Sequence, residues 1–317
     1  MKLKCIIASI FFVTVANAQL VKNHGQLSVI GTQLVDKNED KISLRGVSLG
    51  WHNWWPRFYN KETVKWLRDD WNANVLRVAM GVDADENSYI KSPDESKAKV
   101  QAVVNAAIKQ DMYVIIDWHS HNIHLKEANV FFDEMSKKYG QYPNVIYEIF
   151  NEPERQSWLE VKAYSEEIIA TIRKNDPDNI ILVGSPSWDQ DVHLAAENPI
   201  KGYRNLMYTL HFYAATHDKS LRERADRAIA DGLPIFISES AGMEATGDGP
   251  LDIKAWQEYV DWMESKNLSW ITWSVSDKNE SCSFLFPSAA SKGNWKEKDL
   301  TESGKKTRKY LKALNNK

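Results

Sequence analysis

The sequence predicts an α/β protein built as a (β/α)8 TIM barrel, and three observations carry that prediction. Eight short runs of almost unbroken apolar, β-branched or aromatic residues recur along the 317-residue chain. Amphipathic stretches of helical period separate nearly all of them. The C-terminal ends of the runs collect carboxyl groups, imidazoles, an arginine and indoles, and barrels of this architecture keep their chemistry at that rim.

Residues 1–18 read as a removable secretory signal. Lys2 and Lys4 precede an apolar stretch too short to span a bilayer, and Ala16-Asn17-Ala18 supplies a small-x-small cleavage site. A secreted, extracellular protein is therefore expected. Residues 26–41 pattern as a small β-hairpin placed across the barrel's N-terminal mouth. The eight strand runs fall at 42–48, 74–80, 112–117, 144–150, 180–183, 206–211, 234–238 and 268–275. Each is apolar rather than alternating, as strands covered on both faces require. Helical patterns occupy 61–71, 95–110, 126–139, 158–174, 221–231, 252–266 and 303–314. Ser220 and Asp252 are the expected N-caps of two of these, and Gly232 closes one as the residue beyond its C-cap. After Val183 the chain is only weakly helical, around 191–197. No linker or low-complexity tract divides 19–317, so one catalytic domain is expected there. No Gly-rich phosphate loop follows an early strand, which argues against a doubly wound sheet.

The net charge is −3, and it becomes more negative once the two leader lysines are removed. With no basic block, a nucleic-acid partner is not expected. No later apolar run is long enough to cross a membrane, and a monomer is expected. Cys5 leaves with the leader and Cys282 stands alone, which excludes an intramolecular disulfide and a cysteine-based zinc site. The unusual feature is thirteen tryptophans. Indoles at a rim stack well on flat apolar ligand faces. Trp66, Trp71, Trp256, Trp262 and Trp270 pattern as packing residues, whereas Trp51, Trp54, Trp55 and Trp188 fall in rim loops.

In order, the strand ends carry Arg77, then Asp117-Trp118-His119, Asn151-Glu152-Pro153, His211-Phe212-Tyr213, Ser238-Glu239-Ser240 and Trp273-Ser274. Glu152 and Glu239 face one mouth, the arrangement glycoside hydrolysis needs: one carboxyl protonates the leaving oxygen while the other attacks the anomeric carbon or activates water. Asn151 is placed to bond a sugar hydroxyl and Tyr213 to orient Glu239. Glu148, four residues deeper than Glu152, reads as an internally paired carboxylate.

The strings Asn151-Glu152-Pro153, Asp117-Trp118-His119, His211-Phe212-Tyr213 and Ile237-Ser238-Glu239 resemble glycoside hydrolase family 5, especially its bacterial-type endo-1,4-β-glucanases, over nearly the whole mature chain. The resemblance implies a retaining cellulase that cuts β-1,4-linked glucan and needs neither cofactor nor metal. It makes Glu152 the acid/base and Glu239 the nucleophile. Arg77, His119, Asn151, His211, Tyr213 and Trp273 would line the reacting sugar. Trp54 and Trp188 would be platforms on either side of it, and Lys278 and Glu280 would bond glucose units on the non-reducing side. With Arg77 and Tyr213 favouring an ionised Glu239, Glu152 is expected to hold the proton.

Two departures stand out. Relatives carry a histidine-glycine pair where this chain has Gly50-Trp51, with His52 as a candidate stand-in. They also carry an aromatic residue where this chain has Ser240, a change expected to reshape the floor of the site. The competing readings are a mannanase, xyloglucanase or mixed-linkage glucanase on the same scaffold, a catalytically impaired sugar-binding barrel, and a metal-dependent hydrolase built on His119, His121 and His124.

Overall fold

The computed structural model describes residues 19–315, so the leader expected over 1–18 lies outside the described residues. A short helix α1 (Leu20–His24) leads into an antiparallel hairpin, β1 (Ser28–Ile30) and β2 (Gln33–Val35). The apolar runs then become parallel strands β3 (Arg45–Leu49), β4 (Val75–Gly81), β5 (Tyr113–His119), β6 (Val145–Glu148), β7 (Ile181–Val183), β8 (Leu206–Tyr213), β9 (Ile235–Ala241) and β10 (Trp270–Val275). They pair in sequence order, and β10 closes the barrel on β3. The expected (β/α)8 barrel and its N-terminal hairpin are both present.

Helices α2 (Lys61–Asp69), α3 (Pro93–Lys109), α4 (Leu125–Tyr139) and α5 (Trp158–Arg173) fill the first crossovers. Local chemistry sets their starts. Asn60 accepts from Thr63 N at 2.9 Å, and Ser157 forms a reciprocal capping box with Glu160. A helical turn α6 (Pro186–Asp189) and the short α7 (Val192–Glu197) follow β7, where the sequence pattern was weak. Then come α8 (Lys219–Ala230), α9 (Ile253–Ser265) and α10 (Glu302–Leu314). Asp252 caps α9 as expected, but α8 starts earlier than the pattern placed it. Asp218, not Ser220, is its cap and accepts from Ser220 N at 2.8 Å. Gly232, at φ +94°, is the left-handed residue just beyond the C-cap of α8.

Two apolar zones fix the barrel's ends. Outward-facing strand residues and the helices make the large outer core. At the N-terminal end, Leu27, Leu34, Ile42 and Leu44 pack on Val75, Ile146, Met207 and Ile271, so the hairpin region plugs that mouth. Trp71, Trp256 and Trp270 are fully buried, and Trp66 and Trp262 pack against the core, as their helix and strand positions predict. Trp55 departs from expectation: it packs against the core rather than standing in the cleft.

A register shift at the opposite end matters for chemistry. Between β8 and β9, Thr209 pairs with Phe236 but His211 pairs with Glu239, so β9 carries one extra residue there. Bulges of this kind re-aim side chains beside active sites. Here the shift sets His211 opposite Glu239 and leaves Tyr213, two residues on, pointing the same way.

Candidate active site

The centre of the mouth is Arg77, which is wholly buried on β4. Its guanidinium donates to Glu148 (2.6 and 3.2 Å), Glu239 (2.9 Å) and Asn151 (2.5 Å), and lies 3.1 Å from Asp117. Glu148 is thus the internally paired carboxylate the sequence implied. Burial pushes its carboxyl up, but the charge and bonds of Arg77 and the nearby His211 hold it down at about 2. A buried planar fork with this many acceptors fixes the geometry of everything around it.

Glu239 accepts from Arg77 on one oxygen and from the Tyr213 hydroxyl on the other, at 2.7 Å. Glu152 stands just beyond β6 and accepts from His211 Nδ1 at 2.9 Å. Oxygens of Glu152 and Glu239 and a His211 nitrogen all lie within 4.8 Å of one another. Asn151, spent on Arg77 through its oxygen, keeps a buried amide nitrogen with no partner, a donor ready for a ligand hydroxyl. His119 donates or accepts at Asp117 (2.7 Å) and stacks on Trp273 with centroids 5.2 Å apart. Burial, and then the Arg77 charge, hold its imidazole well below the usual range, so it is neutral. The Trp273–Ser274 peptide is cis.

The electrostatics correct one expectation. Burial raises the Glu152 carboxyl, but the bond and charge of His211, aided by His121 and Arg77, outweigh it and leave it below its usual range. Glu239 is the raised member, by burial first and then by the charge of Glu152. The sequence argument weighed Arg77 and Tyr213 at Glu239 and omitted the imidazole at Glu152. Burial alone would neutralise His211, yet Asp189 (3.4 Å), Glu148 (3.8 Å) and Glu152 raise it well above the ordinary imidazole range. His211 Nδ1 lies 2.9 Å from Glu152 Oε1, so the two groups titrate together as a pair. This arrangement has a pH consequence. Replacing Glu152 by Gln removes a negative charge from beside Glu239, so the Glu239 carboxyl falls. On an aryl cellobioside whose leaving group needs no acid, the acidic limb of kcat/KM should move to lower pH in Glu152→Gln. A limb that stays put or moves up contradicts the coupling.

Two of the rim-loop indoles, Trp54 and Trp188, stand exposed. Trp54 is 48% exposed, and its indole N–H donates to Asp85 at 2.6 Å. Trp188 is 43% exposed. Its loop holds Ser187, Trp188 and Asp189 in consecutive left-handed conformations (φ +55° to +60°), a strained arrangement for non-glycine residues. Asp189 anchors it, accepting from Ser185 N (2.6 Å) and Thr209 Oγ1 (2.5 Å). Trp51, also in a rim loop, packs between two of the site's rings. It stacks on Trp54 at 4.6 Å and meets His119 edge-on at 4.4 Å. Lys278 and Glu280 pair with each other on the loop after β10. Glu280 lies 3.8 Å from Cys282, which packs beside Tyr213 and Trp273.

Both departures from the family pattern resolve. A Cβ at Gly50 would come within 2.8 Å of the Trp55 ring, so this loop has no room for a side chain there. His52 does not replace the missing histidine. It is buried, accepts from Gly81 N at Nδ1 (3.0 Å) and contacts Ser96 Oγ at 2.8 Å, and burial lowers it to about 4. Ser240 turns away from the mouth and donates to Ile271 O at 2.8 Å, so it does not form the floor beneath a sugar.

The three histidines after β5 do not converge. His119 faces Asp117, His121 faces Glu152 at 3.7 Å, and His124 faces Asp83 at 2.7 Å. One residue important to the site was not singled out from the sequence, Asp189, which backs His211, and a second, His121, was named there only as a candidate metal ligand. The spacing His119-x-His121 carried the signal for the second, since residues two apart leave a strand end on the same side.

A closed barrel with two carboxyls this close, between exposed indoles on its C-terminal rim, is the architecture of a glycoside hydrolase. Residues 35–279 match the family described as cellulase (glycosyl hydrolase family 5). An endoglucanase of Clostridium saccharobutylicum is 42% identical over 95% of this chain and 68% of its own length. A solved structure from Cytophaga hutchinsonii has a TM-score of 0.92 at 44% identity, covering 94% of this chain and 97% of that one. The catalytic domain of Thermobifida fusca endoglucanase Cel5A, solved in complex with cellotetraose, has a TM-score of 0.88 at 32% identity, covering 92% and 99%. This chain spans between 55% and 68% of the length of its curated relatives. The chain belongs to glycosyl hydrolase family 5, and it is an endoglucanase-type glycoside hydrolase.

Proposed function

We propose that the protein is a retaining endo-1,4-β-glucanase that cuts internal bonds of cellulose or a related soluble β-glucan by double displacement. The observation that carries this reading is the separation of the two carboxyls. Oxygens of Glu152 and Glu239 within 4.8 Å fit a nucleophile and an acid sharing one anomeric carbon. They leave no room for the water that an inverting pair holds between carboxyls about 6.5–9.5 Å apart.

In the first step Glu239 attacks the anomeric carbon as the bond from that carbon to the leaving oxygen breaks. The proton shared by His211 and Glu152 goes to that oxygen through Glu152. The Asn151 amide and His119 hold hydroxyls of the reacting sugar, and Trp273 supports its face. Esterification then removes the negative charge of Glu239. In the second step water attacks the same carbon, Glu152 takes its proton, and the ester bond to Glu239 breaks. Trp54 and Trp188 extend the cleft on either side, which suits a polymer better than a single sugar.

Two inversions return the starting configuration. Proton NMR during the first minutes of cellotetraose hydrolysis should show the β-anomer appearing first, and an α-anomer would refute the mechanism. We also place the enzyme outside the cell as a monomer, because residues 1–18 have a leader's composition and a polymeric glucan is met there. Exported protein should begin at Gln19, and one retaining Met1 would contradict this.

A further inference from the structure

We propose that His121, set beside Trp51, positions the leaving-group glucose against Glu152. The inference rests on the glucanase reading above and adds a residue to it. Glu152 uses Oε1 for His211, while Oε2 faces His121 Nε2 at 3.7 Å. That is too long for a direct hydrogen bond, yet close enough for one sugar unit to bond both groups.

The side of the cleft follows from what lines it. A cavity of about 590 Å³ is bordered by Glu152, His121, Trp188 and Gln190, with His211 and Tyr213 at its floor. Glu239, Trp273 and His119 do not border it. A space that opens on the acid but not on the nucleophile is where the departing half of the substrate sits. About a third of the His121 side chain is exposed, so its ring is accessible to a sugar.

Trp51 orients the ring. The indole and imidazole lie 30° from parallel with centroids 6.2 Å apart, and the Trp54 ring stacks on the same indole at 4.6 Å. The close passage at Gly81 makes this possible, since a Cβ there would meet the Trp51 ring at 2.8 Å. Trp51 therefore supplies a support for His121. The matching ligand group is a hydroxyl next to the oxygen that Glu152 protonates, which a glucose unit linked through O4 provides.

A leaving group without hydroxyls cannot use this contact, and that separates positioning from general damage. The test compares kcat/KM for cellotetraose and for 4-nitrophenyl β-cellobioside in wild type, His121→Ala and His121→Gln. With one hydrogen bond lost to the leaving sugar, His121→Ala should fall about tenfold on cellotetraose. It should stay within about twofold on the aryl substrate, which makes no such bond. His121→Gln, which keeps a donor, should recover part of the cellotetraose loss. Equal losses on both substrates, or no loss on either, would overturn the proposal while leaving the glucanase reading intact. Wild type inert on both would instead refute that reading.

Discussion

Glu239→Ala should lose activity on cellulosic substrates by roughly 10⁴- to 10⁶-fold, the scale on which removing a covalent nucleophile acts. The fold should survive, because the carboxyl sits at the rim end of β9 and its removal leaves Arg77 with Glu148, Asp117 and Asn151. Azide should then restore turnover of an aryl cellobioside. The small anion fits the space vacated by the carboxylate and attacks the anomeric carbon from the same face. A single displacement gives the α-glycosyl azide, so the product's configuration reports the role. Glu152→Ala should respond differently. Azide there enters after the glycosyl-enzyme forms and gives the β-azide. If azide rescues Glu239→Ala with a β-product, Glu239 is not the nucleophile.

Arg77→Leu should be both inactive and unstable. Three carboxyls, Asp117, Glu148 and Glu239, point at this guanidinium from buried positions. Removing one partner of such a network typically costs about 3–5 kcal/mol, because the Glu148 charge and the polar carboxyls beside it stay buried without their partner. For a chain of this size that is roughly 6–10 °C in Tm. The pH dependence has a definite sign. Glu148 is held below its usual value by Arg77, so its contribution is in place above the ordinary carboxylate range and is lost as pH falls through about 2. The deficit of Arg77→Leu should therefore be largest near neutrality and shrink in acid. Arg77→Lys should recover little, since one ammonium cannot replace a fork that bonds Glu148, Glu239 and Asn151 together. Thermal unfolding of the three proteins between pH 3 and pH 7 checks this. A deficit independent of pH would contradict it.

The barrel was legible because burial on both faces leaves continuous apolar runs, and because the polar residues cluster only at the strand ends. Glu152, Glu239, Arg77 and Tyr213 were legible for the same reason: each breaks an apolar run at the rim. What could not be read was how those groups divide the protons. That depends on a one-residue shift between β8 and β9, which sets His211 opposite Glu239, and on the left-handed turn that brings Asp189 behind the imidazole. Neither leaves a periodic trace. His52 and Trp55 were misplaced for a related reason. A loop of Trp51-His52-Asn53-Trp54-Trp55 offers no period to say which ring turns inward, and packing against Gly50, Gly81 and Ser96 decides it.

The account stands on Glu239 forming a bond to the sugar, and one measurement observes that bond. Incubation with an activated 2-deoxy-2-fluoro β-cellobioside slows both steps and should trap the intermediate, because the fluorine destabilises the electron-poor transition states. Mass spectrometry of the intact protein should then show one added fluorocellobiosyl group. Peptide mapping should place it on the segment that carries Ser238-Glu239-Ser240. Label on the Asn151-Glu152-Pro153 peptide, or steady turnover with no adduct, would contradict the account.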